Sequence, residues 1–151
     1  MKVLRHLDLP PVWQASIMVV MALLDRFLPL AAPVQGAWRT LGLWIMAAGF
    51  LWALAAVLQM MRHHTSPHPH DEPSRLLERG FFALSRNPIY LGMAVLVAGF
   101  ALWLGSLSPW IGPPAYVALI SGRFIRGEEA KLERAFGPAF ERYRRRVRRW
   151  I

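Results

Sequence analysis

Along the chain, apolar positions do not alternate with polar ones. They gather into four runs, about 11–31, 37–61, 88–105 and 107–125. A helix needs roughly 20 residues to cross a hydrocarbon core, so the first two runs suffice and the last two are slightly short. In lipid, backbone N–H and C=O groups must be satisfied within the segment, which makes helix the reading of each run. Pro113 and Pro114 fall inside the fourth run, where a regular helix interior excludes them. Either that helix begins at the prolines, leaving GSLSPWIG as a partly buried turn, or it bends there. The pattern predicts an all-α integral membrane protein of about four transmembrane helices.

Beyond the fourth run the period changes. Leu132, Phe136, Phe140, Tyr143, Val147 and Trp150 recur at steps of three and four, the spacing of one helix face. Lys131, Arg134, Arg142, Arg144, Arg145, Arg148 and Arg149 occupy the other face. Gly137 is placed to end one helix and Pro138 to open the next. The tail 126–151 is therefore expected to be a C-terminal amphipathic helix, interrupted once, lying on an anionic membrane surface. The connector 62–87 opens with RHHTSPHPHDEPSRLLER, which reads as an irregular, solvated loop.

Charge orients this arrangement. Of 18 Lys and Arg residues, Lys2 and Arg5 precede the first run, four lie between the second and third, and ten run from Arg123 to Arg149. The positive-inside rule then puts both termini, the connector and the tail in the cytoplasm. A net charge of +9 also suits nucleic acid, but beside long apolar runs it reads as membrane flanks, so no nucleic-acid partner is expected. At 151 residues the chain is a single domain. It has no cysteine, which excludes disulfides, thiolate metal sites and a cysteine nucleophile. The first apolar run continues past signal-peptide length with no small-residue cleavage site, so residues 1–151 read as mature protein.

Three clusters carry candidate chemistry. His63, His64, His68 and His70 invite a metal, but Pro67 and Pro69 prevent a helical ligand pair and the spacing fits no zinc pattern, so none is expected. Asp25 and Arg26 are adjacent and do not face each other; an interfacial role is expected over a functional one. SRNPIYLG offers Asn87 as an N-cap and Pro88 at the first helical position, with Arg86 among headgroups and Tyr90 in the aromatic belt. Glu128 and Glu129 open a cytoplasmic helix, where the helix dipole alone accounts for them. Yet Arg86 to Tyr90 and Glu128-Glu129 stand at the two ends of one hairpin, on the same predicted side. They are expected to converge on one pocket.

With those residues in view, LLERGFFALSRNPIYLG, followed about forty residues later by EEAKLERAFGPAFERYRRRVRRW, resembles the isoprenylcysteine carboxyl methyltransferase family. More broadly, it is similar to the membrane methyltransferases that include phospholipid N-methyltransferases. The shared positions are Gly80, Phe82, Arg86, Asn87, Pro88, Tyr90, Glu128, Glu129, Leu132, Phe136, Gly137, Phe140 and Tyr143. The resemblance covers 76–149, about the C-terminal half. Histidine is usual in the prenylcysteine enzymes where this chain has Asn87, and tyrosine is frequent where it has Phe82.

The resemblance implies S-adenosylmethionine-dependent methyl transfer at the cytoplasmic membrane face, to a lipophilic or small thiol, carboxyl or amine acceptor. It implies a cofactor pocket of Leu76, Leu77, Phe82, Asn87, Pro88, Tyr90 and Glu128. Arg86, Tyr90 and Glu129 are then the expected catalytic residues, and Arg123 and Arg126 the expected substrate-binding ones. Membrane lipid is an expected partner. Two other readings stand beside it: a non-catalytic membrane protein holding anionic lipid or a partner through its basic tail, and a nicotinamide-dependent reductase, for which no dinucleotide glycine motif is visible.

Overall fold

The computed structural model describes residues 8–31, 36–68 and 71–151; Lys2, Arg5 and His70 lie outside them. Every regular element among the described residues is helical. Helix α1 spans Pro10–Phe27, α2 Ala37–Arg62, a single turn α3 Phe81–Leu84, and α4 Pro88–Leu104. A 3-10 turn at Ser108–Ile111 leads into α5, Gly112–Ile120; a π-helical turn, Ser121–Ile125, joins it to α6, Arg126–Phe136, and α7 follows at Pro138–Arg146.

Local sequence accounts for most of these boundaries. Prolines open α1, α4 and α7, where the missing N–H is no loss. Helix α1 stops at Phe27, short of the expected 31, and Leu28 at φ −139° precedes Pro29, a position where helical backbone is sterically disfavoured. The fourth apolar run resolves in favour of a helix that begins at the prolines, with Pro113 and Pro114 in its first turn. Gly137, at φ +45°, makes the sharp joint between α6 and α7 that a side chain would strain.

Helices α2 and α4 lie against each other at backbone contact. A Cβ built on Gly49 would stand 2.6 Å from Gly92 O, and one on Gly42 would stand 2.8 Å from Gly99 O. Each helix thus presents glycine at seven-residue intervals to glycine on the other, the small-residue packing that lets helix backbones meet. On their other side Met21 of α1, Met93 and Val97 of α4, and Tyr116 and Ile120 of α5 form the buried core.

The outward surface is apolar. Helix α2 is the one described helix long and apolar enough to cross a membrane, and only 17% of its most apolar stretch is buried. Trp38, Trp44, Phe50 and Leu51 stand exposed on it. Helix α4 is apolar over 17 residues. A water-facing surface of that kind is unfavourable at about 25 cal/mol per Å2 of apolar area, so hydrocarbon is its natural surrounding.

At the end where α1 and α4 finish, Asp25 fixes the following turn. Its Oδ1 accepts from Ser106 Oγ at 2.6 Å and from Ser106 N at 3.3 Å. Leu107 N donates to Leu30 O at 2.9 Å beside it. Arg26 lies over the Phe27 ring, 5.8 Å from its centroid.

The tail differs from the expected amphipathic helix at its end. Helix α7 stops at Arg146, and Val147 is extended at φ −121°, ψ 130°. Val147 and Trp150 therefore leave the helix face that their spacing predicts. Residues 147–151 instead form a strap that runs back under the start of α4.

Candidate functional site

The helical rod from α5 to α6 sets the geometry. Backbone torsions at Ile120, Ser121, Ile125 and Arg126 are all right-handed helical, so the rod continues from Gly112 to Phe136. Glu128 and Glu129 sit inside it rather than at a fresh N-terminus, which removes the helix-dipole explanation for them. In the π turn Arg126 N–H reaches Ser121 O, five residues back. One extra residue rotates everything beyond it by about 100° relative to an unbroken α-helix. That rotation is part of what aims Glu128 at α4.

Glu128 Oε1 accepts a hydrogen bond from Tyr90 Oη at 2.5 Å. One position on, Glu129 pairs with Arg86 at 3.2 Å and takes the Arg149 guanidinium in a two-point contact at 3.0 and 2.5 Å. The clusters at the two ends of the hairpin do meet. Arg86 is only 10% exposed, and burial pulls its guanidinium below the ordinary arginine value while Glu129 opposes that shift. Its Nε and Nη1 are buried with no hydrogen-bond partner among the described residues. Unpaired buried donors cost roughly 1–3 kcal/mol, so a group that cannot shed its charge is held here incompletely satisfied.

Above these groups lies a cavity of about 400 Å3. Leu9 and Pro10 wall it at the start of α1, Val57 and Met60 at the end of α2, and Met93 on α4. The connector, irregular and largely exposed as expected, also passes along one side of the cavity, contributing Thr65 to His68, Asp71 to Pro73 and Arg75 to Leu77. It is held there by Ser74 Oγ donating to His64 O at 3.0 Å and by Lys131 Nζ donating to Asp71 O at 3.2 Å. Leu76, Leu77, Phe82, Asn87, Pro88, Tyr90 and Glu128 all line this one cavity, and so does Arg86.

Three expected site residues are placed elsewhere. Glu129 stands behind the wall, bridging Arg86 and Arg149. Arg123 turns to Asp8 at 2.7 Å, and Arg126 is exposed; neither reaches the cavity lining. Among the described residues no three His, Asp or Glu side chains converge on a metal position. His68 sits 4.0 Å from Asp71.

The contribution of the chain end was not visible in sequence. Arg149 O accepts from Ser85 Oγ at 3.2 Å and from Asn87 Nδ2 at 3.0 Å, and Arg148 O accepts from Arg86 N at 2.9 Å. Trp150 Nε1 donates to Ser121 Oγ at 3.3 Å, so the strap also touches the π turn. Its arginines look, in sequence, like any others of a polybasic run. Tyr143 Oη donates to Phe82 O at 2.6 Å, fixing the turn α3 beneath the cavity, and burial raises that phenol above the usual tyrosine value.

Residues 37–139 match the phospholipid methyltransferase family. The chain belongs to that family. The match begins at the first residue of α2 and includes the connector, the α4–α5 hairpin and both glutamates of α6. An uncharacterized protein of Haemophilus influenzae is 35% identical over 63 residues, 42% of this chain and 100% of that protein. No solved structure matches. Membership makes this a membrane methyltransferase by family, with α2 as its candidate membrane helix. The prenylcysteine branch is not singled out by the match.

Proposed function

We propose that the protein is an S-adenosylmethionine-dependent methyltransferase whose cofactor site is the cavity between α4, α6 and the folded connector. The observation that carries this reading is that the seven residues implied by the resemblance line a single cavity, with Arg86 beside them in its wall. About 400 Å3 lies within the range of small-molecule sites. When bound, the cofactor supplies an electrophilic methyl group on a sulfonium sulfur.

The residues present fit such a group. Arg86 brings a guanidinium to the cavity wall, and its positive charge suits the carboxylate of the amino-acid end. Glu128 offers a carboxylate to an ammonium or a ribose hydroxyl, and Tyr90 holds that carboxylate in place. Leu76, Leu77 and Phe82 offer apolar surface to an adenine. Fixing the reactants and excluding water are what these side chains contribute, effects that reach roughly 7–11 kcal/mol. A thiolate or carboxylate acceptor needs no general base.

We place the cavity at the cytoplasmic end of a four-span bundle, both termini inside. Arg62, Arg75, Arg79 and the arginines of α6 and α7 cluster at that end, and Asp25 with its turn lies at the other. The first wall of the cavity, Leu9, Pro10, Val57 and Met60, is apolar and suits a lipophilic acceptor arriving from the bilayer. An isoprenylcysteine substrate is one member of that class; membrane lipid with an amine headgroup is another.

The test is transfer of labelled methyl from S-adenosylmethionine by membranes containing the protein. Label should enter the lipid-extractable or small-thiol fraction with the wild type and fall by about a hundredfold with Glu128→Gln, as for loss of a site-fixing charged contact. Equal labelling by both, or none by either, removes the reading.

A further inference from the structure

We infer that the C-terminal strap is a working part of this site and that Arg149 is a positioning residue for it, acting through Glu129 on Arg86 and through its carbonyl on Asn87. The inference rests on the reading of the cavity as a cofactor site. It goes beyond it by assigning a role to residues outside both the cavity wall and the region matched by the family.

Three contacts carry it. Arg149 grips Glu129 at two points, Nε to Oε1 at 3.0 Å and Nη2 to Oε2 at 2.5 Å, which fixes the plane of that carboxylate. Oε1, already accepting from Arg149 Nε, is also the oxygen that meets Arg86, through Nη2 at 3.2 Å. Arg86 is thereby held by a single corner, Nη2, with its side chain lining the cavity. Without Arg149, the Glu129 carboxylate is free to turn and take the Arg86 fork in the two-point geometry that guanidinium and carboxylate prefer. That would draw the Arg86 guanidinium toward Glu129 and away from the cavity it lines. The third contact is Asn87 Nδ2 to Arg149 O at 3.0 Å. With its NH2 committed to the strap, the amide turns its oxygen away from it, and Asn87 lines the cavity.

A merely structural strap and a positioning one differ in which ligands they affect. S-Adenosylhomocysteine carries the amino-acid end with its carboxylate; 5′-methylthioadenosine has the same nucleoside and thioether but lacks that end. Affinities of purified protein for both are measured by titration calorimetry, with thermal unfolding alongside. For Arg149→Ala we expect S-adenosylhomocysteine to bind about tenfold or more weaker while methylthioadenosine changes by less than about twofold, the loss of one charge-assisted contact. Arg149→Lys, which keeps the charge but not the fork, should fall between and carries the test if the alanine variant does not fold. Equal weakening of both ligands, or no change in either, overturns the inference with the cofactor reading intact. If the wild type binds neither ligand, the cofactor reading itself fails and takes this inference with it.

Discussion

Tyr90 and Glu128 stand 38 positions apart in sequence and 2.5 Å apart in space, phenol donating to carboxylate across the cavity floor. Tyr90 is anchored by α4, whose first turn is fixed by Trp52 Nε1 donating to Pro88 O at 3.0 Å. Glu128 is aimed by the π turn of the rod.

Tyr90→Phe therefore removes one hydrogen bond to a charged acceptor while keeping the ring. Stability should drop by about 1.5–3 kcal/mol, and cofactor affinity should fall because the Glu128 carboxylate loses the hold of the Tyr90 phenol. Thermal unfolding in detergent and a titration with S-adenosylhomocysteine check the two effects separately. Unchanged affinity would show that Tyr90 serves packing alone.

Gly49→Val should destabilise strongly, because a Cβ there meets Gly92 O and Leu96 N at 2.6 Å, and backbone cannot move aside as a side chain can. Overpacking costs of about 1–3 kcal/mol are a lower expectation at such a contact. Gly122→Ala, in open space, is the control and should leave the unfolding temperature nearly unchanged.

Asp25→Ala breaks the tie to Ser106 at the end of the bundle away from the cavity. A stability loss of about 1–3 kcal/mol is expected, from the unmade bonds to a charged acceptor. Cofactor affinity should not change. A variant that lost affinity without losing stability would mean the Asp25 end communicates with the site.

Tyr143 links stability to alkaline pH. Burial raises its pKa, so above the ordinary tyrosine value of about 10 the unfolded chain holds fewer protons than the folded one, and stability falls as pH rises. Tyr143→Phe should be less stable at neutral pH, having lost the bond to Phe82 O, yet decline less steeply between about pH 9 and 11. Unfolding midpoints across that range decide it; parallel curves would contradict the assignment.

How much of this was legible in the sequence depends on the range of the interaction. Pro88, Gly137 and Pro138 act on their own backbones, and the boundaries they set follow from local sterics. The convergence of Asn87 and Tyr90 with Glu128 follows from hairpin length and charge placement, which are sequence quantities. The glycines at 42, 49, 92 and 99 carried a readable seven-residue interval that hydrophobic runs alone do not expose. The strap was not legible. Val147 and Trp150 satisfy a helical period, and the strap is instead tied to distant partners, Ser85, Arg86, Asn87, Ser121 and Glu129. The connector is the irregular, largely exposed loop that its composition predicts, but its place along the cavity depends on distant contacts such as Lys131 with Asp71, which composition does not carry.

The most direct measurement is an equilibrium titration of the purified, detergent-solubilised protein with S-adenosylhomocysteine, beside Glu128→Gln. Saturable one-to-one binding at micromolar affinity, weakened about tenfold or more by the substitution, is the predicted result for a charge-assisted contact. Absence of saturable binding by the wild type, or equal affinity in the two proteins, would contradict the assignment of the cavity.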